Sequence, residues 1–151
     1  MSSPQPSSFG TRFSTTLSEP PRVLLVDDND AMLERARRVL TPACQIVGVV
    51  KDGPTALAAA GKLRPDVIVL DISMPGMGGL EVASRLQASH SKAAVVFLTI
   101  HDDEAIVRAA RAAGAVAYVL KPWLASDLLF ATLEASAGRP FVSADVSDNI
   151  W

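Results

Sequence analysis

The stretch VLLVDDND, residues 23–30, sets the pattern that decides the fold and raises the first question about function. Four apolar residues run directly into three acidic residues with one asparagine among them. Like charges this close repel, and each carboxylate loses hydration when it is buried, so such a cluster is seldom there for stability. We therefore expect a positively charged group to bind at this point.

Four more apolar runs follow along the chain, and helix-like segments separate them. The runs are short and nearly continuous, which is typical of strands covered on both faces of a parallel sheet; they are QIVGVV (45–50), VIVL (67–70), AVVFL (94–98) and AVAYVL (115–120). Each run precedes a segment rich in Ala, Leu, Arg and Glu that is long enough for a helix, at 31–41, 54–64, 79–90, 103–113 and 125–137. The sequence thus predicts five βα units in a doubly wound α/β fold.

Glycine and proline mark the predicted boundaries. Asp52-Gly53-Pro54 predicts the start of the second helix and Arg64-Pro65 its end. Gly114 and Gly138 follow the fourth and fifth helices, where a left-handed cap is expected. Asp30 precedes the first helix and is predicted to be its N-cap.

The composition indicates one folded domain. The chain has 151 residues, of which 49% are hydrophobic, enough for a sizeable core. Residues 1–20 are rich in Ser, Thr and Pro and predict a disordered tail, 21–139 the domain, and 140–151 a short C-terminal tail. With 14 basic and 16 acidic residues the chain offers no general field for nucleic acid.

Membrane and export signals are absent from the sequence pattern. No apolar stretch approaches the roughly 20 residues that cross a bilayer, and the N-terminus lacks the basic start and apolar block of a secretory signal. Cys44 is the single cysteine, so an internal disulfide is impossible. We expect it to be a small core residue in a reducing, cytoplasmic setting.

Polar residues follow four of the five predicted strands. Asp27 and Asp28 follow the first strand, Asp71 the third, Thr99 the fourth and Lys121 the fifth. In doubly wound folds, ligands bind at the carboxyl ends of the strands. Three carboxylates at one sheet edge suit a hard cation such as Mg²⁺. Helix capping alone does not explain three acids with a matched lysine and threonine.

This set of residues has a coherent chemistry. A carboxylate beside a divalent cation can attack a phosphoryl group and form an acyl phosphate, so Asp71 is the predicted nucleophile. Lys121 can pair with Asp71 or with its phosphate, and the Thr99 hydroxyl can donate to a phosphoryl oxygen.

The motifs VLLVDDND, VIVLDISMPGMGGLE, VVFLT and YVLKPW resemble those of response-regulator receiver domains of two-component systems, over Arg22 to Arg139. Residues 71–81 and 97–104 most resemble the NarL/LuxR class, here without its helix-turn-helix output domain. The resemblance implies a flavodoxin/CheY-like (βα)5 fold with strand order 2-1-3-4-5. It also implies that Asp71 accepts a phosphoryl group from a histidine kinase or phosphotransfer protein.

The resemblance further assigns roles to individual residues. Asp28, Asp71 and the Ser73 backbone carbonyl would bind Mg²⁺ directly, and Asp27 through water. Thr99 and Tyr118 would change position together on phosphorylation and alter the surface formed by helix four, strand five and helix five. A core role for Tyr118 remains equally open.

The resemblance implies two further features of the site. The Lys121–Pro122 bond would be cis. Ser73 and His101 would influence how long the phosphate lasts, although a solvated loop position is the alternative for His101.

Two aromatic residues are unexpected, because such positions are commonly polar in receivers. Trp123 follows Lys121-Pro122, and Phe130 lies on the fifth helix. They predict a surface for a partner protein or a second copy, the alternative being partial cover by the C-terminal tail. Gly76, Gly78 and Gly79 indicate loop flexibility, since no GxGxxG motif is present.

Three kinds of function remain in view. The leading hypothesis is a phosphorylatable switch that acts on a downstream protein or on itself, either as a stand-alone receiver or as a fragment of a DNA-binding regulator. Neither nucleic acid nor membrane is an expected partner of this chain itself. A phosphatase with an aspartyl-phosphate intermediate would need a second acid where Ser73 stands, so an enzyme is not expected. A phosphorylation-independent binding module is the third possibility.

Overall fold

The computed structural model describes residues 19–146 and Trp151. Within that part of the chain, five α-helices and a short 3-10 helix, Lys121–Trp123, accompany one six-stranded sheet. The strands are β1 (Arg22–Val26), β2 (Gln45–Val50), β3 (Val67–Leu70), β4 (Ala94–Thr99), β5 (Ala117–Leu120) and β6 (Phe141–Val142). The helices are α1 (Asp30–Leu40), α2 (Gly53–Leu63), α3 (Gly79–Ala88), α4 (Glu104–Ala112) and α5 (Leu124–Ser136).

All strand pairs are parallel, in the order β2-β1-β3-β4-β5-β6. The predicted order of the first five strands is confirmed. The sixth strand was not predicted: it lies in the segment interpreted as a C-terminal tail and extends the sheet beyond β5. Because β6 has two residues, it shows none of the periodicity by which a strand is recognised in a sequence.

Both faces of the sheet are covered by helices. Leu24 and Val26 belong to a core cluster shared with α2, α3 and α4, whereas Val23 and Leu25 belong to a second cluster shared with α1 and α5. Successive β1 residues point to opposite faces, and since both faces are buried, all four are apolar. This is the physical origin of the continuous VLLV run.

The strand β2 is less buried than its apolar sequence suggests. It is an edge strand, paired only with β1 in the part of the chain that the structure describes. Val49 is 44% exposed. The sequence pattern overestimated burial here because an edge position is a tertiary property that the apolar run does not encode.

The predicted boundaries of the helices hold to within two residues. Arg64, Gly114 and Gly138 follow helices in the left-handed region, with φ of 49°, 96° and 80°. The N-cap of α1 is different from the prediction. Asn29 caps this helix by accepting from the Met32 backbone N–H at 2.9 Å, and Asp30 is the first helical residue.

Asp30 serves another role in the first turn of α1. Its carboxylate lies 2.8 Å from the Lys51 ammonium at the end of β2, where both side chains are exposed. The sequence could not decide between Asn29 and Asp30 as the N-cap, because both residue types are good N-caps and the local backbone conformation selects one of them.

Cys44 lies in the core, as predicted, and burial raises the pKa of its thiol to about 11. Among the helices described, none is both long and apolar enough to cross a membrane.

Candidate functional site

The predicted acidic residues meet at the carboxyl edge of the sheet. Strands β1 and β3 are neighbours with Val26 opposite Leu70, so the residues that follow them, Asp27 and Asp71, lie side by side. The Asp71 backbone N–H donates to the Val26 carbonyl at 3.0 Å. Asp28 completes the cluster, and one carboxylate oxygen from each of the three residues lies within 4.8 Å of the other two.

Lys121 joins this cluster from β5. Its ammonium is 3.0 Å from an Asp27 oxygen and 3.2 Å from an Asp71 oxygen. The side chains of Lys121, Asp27 and Asp71 are only 14%, 7% and 6% exposed, so the three charges interact with little screening by water. The structure therefore brings together the predicted acids and their predicted cation.

The ionisation of Asp71 reflects competition among its neighbours. Burial, reinforced by the charge of Asp27, raises the pKa of the Asp71 carboxyl despite the opposing effect of Lys121. Burial works to lower the pKa of Lys121, but its hydrogen bond to Asp27 and the charges of both carboxylates outweigh burial and raise that pKa. The single ammonium of Lys121 therefore leaves part of the negative charge of the cluster uncompensated.

The residues present fit a divalent cation. Three carboxylates face a single lysine, and two of these acids are buried, which leaves negative charge in excess where desolvation makes it costly. Oxygen ligands of this kind are those that Mg²⁺ prefers. The Asp27 carboxylate is held in place from both sides, because its other oxygen accepts from the Asn29 backbone N–H at 2.9 Å.

His101 contacts three of the predicted site residues. Its Nε2 atom lies 2.6 Å from the Ser73 hydroxyl, and its backbone N–H donates to the Thr99 hydroxyl at 3.3 Å. The Tyr118 hydroxyl donates to the His101 carbonyl at 2.8 Å. The sequence predicted a role for each of these residues, but not that one loop residue connects them. No sequence signal reveals such a connection, because it depends on how the loop after β4 folds.

Tyr118 is a core aromatic, fully buried between neighbouring rings. Its ring centroid is 6.2 Å from that of Phe97 and 5.7 Å from that of Trp151. Burial, followed by the charges of Asp103 and Asp102, raises the pKa of Tyr118 well above its usual range. The hydroxyl therefore stays protonated and available as a donor.

Gly79, interpreted from the sequence as part of a flexible loop, is required for another reason. It begins α3, and its N–H donates to the Ile72 carbonyl at 2.8 Å. A Cβ atom on Gly79 would overlap the Asp71 carbonyl oxygen. The close approach of α3 to the backbone of Asp71 thus depends on glycine.

The Lys121–Pro122 bond is trans, as are the other peptide bonds of the described residues, so the expected cis bond is not present. Lys121 and Pro122 form the first turn of the 3-10 helix that leads into α5. Proline is accepted in a first helical turn because its missing N–H has no intrahelical partner there.

Trp123 ends the 3-10 helix, and Phe130 lies on α5. They are 41% and 55% exposed. The Trp123 indole N–H donates to Asp145 at 2.9 Å, and the Phe130 ring contacts that of Phe141 edge-on at 5.5 Å. Each ring is thus partly covered by the C-terminal segment, by which we mean residues 139–146 together with Trp151, and the rest faces solvent.

Comparison with known proteins gives matches over most of the chain. A family model for the response regulator receiver domain matches residues 23–133. The response regulator GacA of Pseudomonas viridiflava is 32% identical over 85% of this chain and 61% of its own length. The nitrate/nitrite response regulator NarL of Escherichia coli K12 is 33% identical over 83% of this chain and 59% of its own.

A solved structure agrees with the fold. The signal receiver domain of NarL from Mycobacterium tuberculosis superposes with a TM-score of 0.77 at 33% identity, covering 80% of this chain and 99% of that domain. The chain spans about three fifths of the length of the two curated relatives.

A parallel sheet with acids, threonine and lysine at its carboxyl edge, together with the family match, defines the class of protein. The chain belongs to the response regulator receiver domain family of two-component systems. Its relatives include NarL and GacA, so the resemblance to the NarL/LuxR class is confirmed.

Proposed function

We propose that this chain is a signalling switch that accepts a phosphoryl group on Asp71 from a histidine kinase or a phosphotransfer protein. The observation that carries the proposal is the buried Asp71 carboxylate, placed 3.2 Å from the Lys121 ammonium and beside two further carboxylates. If Asp71 served only as a helix cap or turn residue, neither the burial of its carboxylate nor its ion pair with Lys121 would be explained.

The proposed reaction begins at a carboxylate oxygen of Asp71. This oxygen attacks the phosphorus of a phosphohistidine, the P–N bond breaks, and the electron pair of that bond leaves with the imidazole. Asp71 then carries an acyl phosphate. Lys121 retains its proton throughout, because its pKa is raised, and remains able to pair with the new phosphoryl oxygens.

Asp28, Asp71 and the Ser73 carbonyl would hold Mg²⁺ directly, with Asp27 acting through water, and the bound cation would neutralise charge on the phosphoryl oxygens. The Ser73 N–H donates to Asp71 at 3.4 Å, which helps to orient the carboxylate. Because the Ser73 hydroxyl and His101 side chain bond to each other beside Asp71, we infer that this pair controls the access of water to the acyl phosphate.

The signal would leave the site through Thr99 and Tyr118. Both are fully buried, and both bond to the backbone of His101, Thr99 to its N–H and Tyr118 to its carbonyl. A phosphoryl oxygen on Asp71 that draws the Thr99 hydroxyl toward itself would break the first of these bonds and free the loop to shift. The affected surface is α4, β5 and α5, where a downstream protein or a second copy would bind.

Further elements of the proposal follow from family membership. A cytoplasmic location is inferred because response regulators are typically cytoplasmic. The relatives are longer, so the chain corresponds either to a stand-alone receiver or to the receiver part of a DNA-binding regulator; DNA is not the proposed partner of the described domain. Turnover of external phosphate esters is not proposed, because Ser73 stands where a phosphatase would place its second acid.

The test uses a small phosphodonor such as acetyl phosphate with Mg²⁺, and intact mass as the readout. We expect wild type to gain the mass of one phosphoryl group, and Asp71→Asn and Mg²⁺-free samples to gain none. Ser73→Ala and His101→Ala should still be phosphorylated but should lose the phosphate at altered rates. A folded wild type that binds Mg²⁺ and gains no mass would contradict the proposal and favour a phosphorylation-independent binding module.

A further inference from the structure

The solvent-facing side of α5 differs from that of α1, α3 and α4. Each of those three helices carries an exposed ion pair between residues four apart. In α5, all of whose residues the structure describes, the exposed residues are uncharged; they are Ala125, Ser126, Phe130, Leu133 and Ser136. A helix that is apolar on its outer side as well as its inner side is normally covered on both sides.

The two charged residues of α5, Asp127 and Glu134, are half-buried and bonded within the domain. Asp127 accepts from the Ser143 hydroxyl at 2.9 Å. Glu134 forms an ion pair with Arg139 at 2.9 Å. The outer side of the helix therefore offers no free charge that would favour a charged partner.

Four of the outward residues of α5 and its C-cap form one stripe along the helix. They are Ser126, Phe130, Leu133 and Ala137, and we call them the α5 stripe. Their spacing of four, three and four residues keeps them on one side of a helix with about 3.6 residues per turn. At about 100° per residue the stripe lies opposite the buried side of the helix, which consists of Leu124, Leu128, Ala131, Thr132 and Ala135.

The neighbouring sheet edge is already occupied in this chain. Strand β6 of the C-terminal segment pairs with β5, and Trp151 lies 6.0 Å from the Arg111 guanidinium of α4. Of the surface formed by α4, β5 and α5, which we call the α4–β5–α5 surface, the segment thus covers the part between α4 and β5. The large apolar side chains that stay exposed on or beside these elements are Trp123, Phe130 and Leu133.

The order of residue sizes along the α5 stripe suits a second copy of the same helix. From Ser126 to Ala137 the stripe has a small, a large, a large and a small residue. Suppose that two copies pack antiparallel about a two-fold axis between Phe130 and Leu133. Each Phe130 then faces Leu133 of the second copy, and each Ser126 faces Ala137 of the second copy. A two-fold interface requires such a self-complementary surface, and small residues at both ends let the helices approach closely.

We propose that the chain forms a symmetric dimer through the α5 stripe, with the two α5 helices antiparallel and Phe130 of each copy packed against Leu133 of the other. The inference rests on the proposed function for the purpose of this surface, but not for the contact itself, and it names the partner as a second copy of the chain. Because the contact is small for a protein interface, we expect an affinity weaker than about 1 µM, the weak limit of standard-size interfaces.

The first test is sedimentation equilibrium of the full chain from low micromolar to near-millimolar concentration, with and without Mg²⁺ and beryllofluoride as the phosphoryl mimic. We expect wild type to shift from monomer towards dimer as the concentration rises. Leu133→Glu would place an unpaired charge against Phe130 of the second copy and should weaken association by about tenfold or more. Ala125→Glu adds the same charge at an exposed position off the stripe and should associate like wild type.

Two results of this test would overturn the inference. One is a wild type that stays monomeric at every concentration in both conditions, which would leave the stripe to a different partner. The other is a Leu133→Glu protein that dimerises as strongly as wild type, which would place the dimer contact on another face.

The second test determines the register with single cysteines. In the antiparallel dimer, the two copies of residue 126 lie about 16 Å apart along the helices, at about 1.5 Å per residue. A disulfide needs Cα atoms within about 7 Å. Ser126→Cys alone and Ala137→Cys alone should therefore not cross-link on oxidation, whereas an equimolar mixture of the two should give a mixed disulfide dimer. Wild type, whose Cys44 is buried, is the control. Cross-linking of either variant with itself, or none in the mixture, would contradict the antiparallel contact.

The outcomes separate the two proposals. If wild type gains no phosphate from acetyl phosphate but dimerises and gives the mixed disulfide, the proposed function fails and the dimer contact stands. If wild type is phosphorylated but neither associates nor gives the mixed disulfide, only the dimer is overturned. Because the cysteine variants alter exposed positions, poor folding of Leu133→Glu would leave that decision intact.

Discussion

At the residue scale, the acidic site contains more negative than positive charge. Three carboxylates face one ammonium, and the burial of Asp27 and Asp71 makes the excess negative charge unfavourable for folding. Lys121 compensates Asp27 and Asp71 at 3.0 and 3.2 Å, yet the pKa of Asp71 is still raised by burial and by the charge of Asp27. A carboxyl with a raised pKa in the native state binds its proton more tightly there than in the unfolded chain. Its ionised form therefore destabilises the fold, and stability falls as the pH rises through its native pKa.

Removing this charge should stabilise the metal-free protein. We expect Asp71→Asn to raise the free energy of unfolding by about 1–2 kcal/mol in the presence of a chelator. Asn keeps the shape of the side chain, and Lys121 keeps Asp27 as its partner. Urea unfolding followed by circular dichroism measures the difference, and Mg²⁺ should stabilise wild type more than the variant.

The matched control removes the cation instead. Lys121→Met leaves Asp27 and Asp71 buried without their ammonium, so we expect a loss of about 3 kcal/mol. Combining Lys121→Met with Asp71→Asn should recover part of that loss. An Asp71→Asn protein that is less stable than wild type under chelation would contradict this account of the site.

Cys44 provides a pH-dependent prediction away from the site. Burial raises the pKa of its thiol from 9.0 to about 11. Between these values the unfolded chain releases the proton and the native protein retains it, so the free energy of unfolding should decline as the pH rises from 9 to 11. Cys44→Ala should reduce this decline. Urea unfolding at stepped alkaline pH measures the slope, and equal slopes in both proteins would contradict burial of the thiol.

At the element scale, the sequence predicted the helices and the five longer strands, because burial makes their apolar residues recur in a recognisable pattern. It did not predict the two-residue strand β6 or the contacts made by the loop after β4. The five strands were predictable because both sheet faces are covered, which makes VLLV and VIVL continuously apolar. The central site residues were predictable because Asp27, Asp71 and Lys121 directly follow strands and Thr99 ends one. The strand β6 was not, since two residues carry no period, and the contacts of His101 depend on a loop path that no pattern records.

The start of α3 gives a prediction at this scale. A Cβ atom on Gly79 would overlap the Asp71 carbonyl oxygen and lie 2.9 Å from the Ile72 Cα atom, both parts of the backbone. We therefore expect Gly79→Ala to cost about 3 kcal/mol or more of stability and to impair phosphorylation by displacing Asp71. Thermal unfolding and the intact-mass assay measure the two effects.

Gly61 is the matched control, because it lies inside α2 with open space around its Cβ position. Gly61→Ala should stabilise the protein by about 0.5–1 kcal/mol, as expected for alanine in a helix interior. If both glycine variants behaved alike, the close approach of α3 to the backbone of Asp71 would not be a constraint.

At the scale of the whole molecule, the acidic site and the α4–β5–α5 surface lie at opposite ends of one chain of contacts. Asp71 lies beside Ser73 and Lys121, Ser73 bonds to His101, and the His101 carbonyl accepts from Tyr118. Beyond Tyr118 the chain's own C-terminal segment begins. Two aromatic side chains stay partly exposed on this side, Trp123 at the end of the 3-10 helix and Phe130 on α5, and with their neighbours they form an apolar surface that a partner could contact.

Trp123 and Phe130 are the largest side chains of that surface, and we expect them to contribute to association. Replacing both with Ser should change the free energy of unfolding by about 1 kcal/mol or less, since they are 41% and 55% exposed. It should also weaken self-association or partner binding in the presence of beryllofluoride and Mg²⁺, because exposed aromatics supply much of the energy of an interface. Light scattering after gel filtration measures the oligomer.

Two controls distinguish this surface from general hydrophobicity and from the C-terminal segment. Val49→Ser removes a comparably exposed apolar residue, 44% exposed, from β2 at the opposite edge of the sheet, and should not affect association. Asp145→Ala frees the Trp123 indole from its hydrogen bond while keeping the ring, and should preserve or strengthen association. If the double Ser variant retained the oligomer size and partner binding of wild type, Trp123 and Phe130 would not form a binding surface, and their role would be limited to packing against residues 141 and 145.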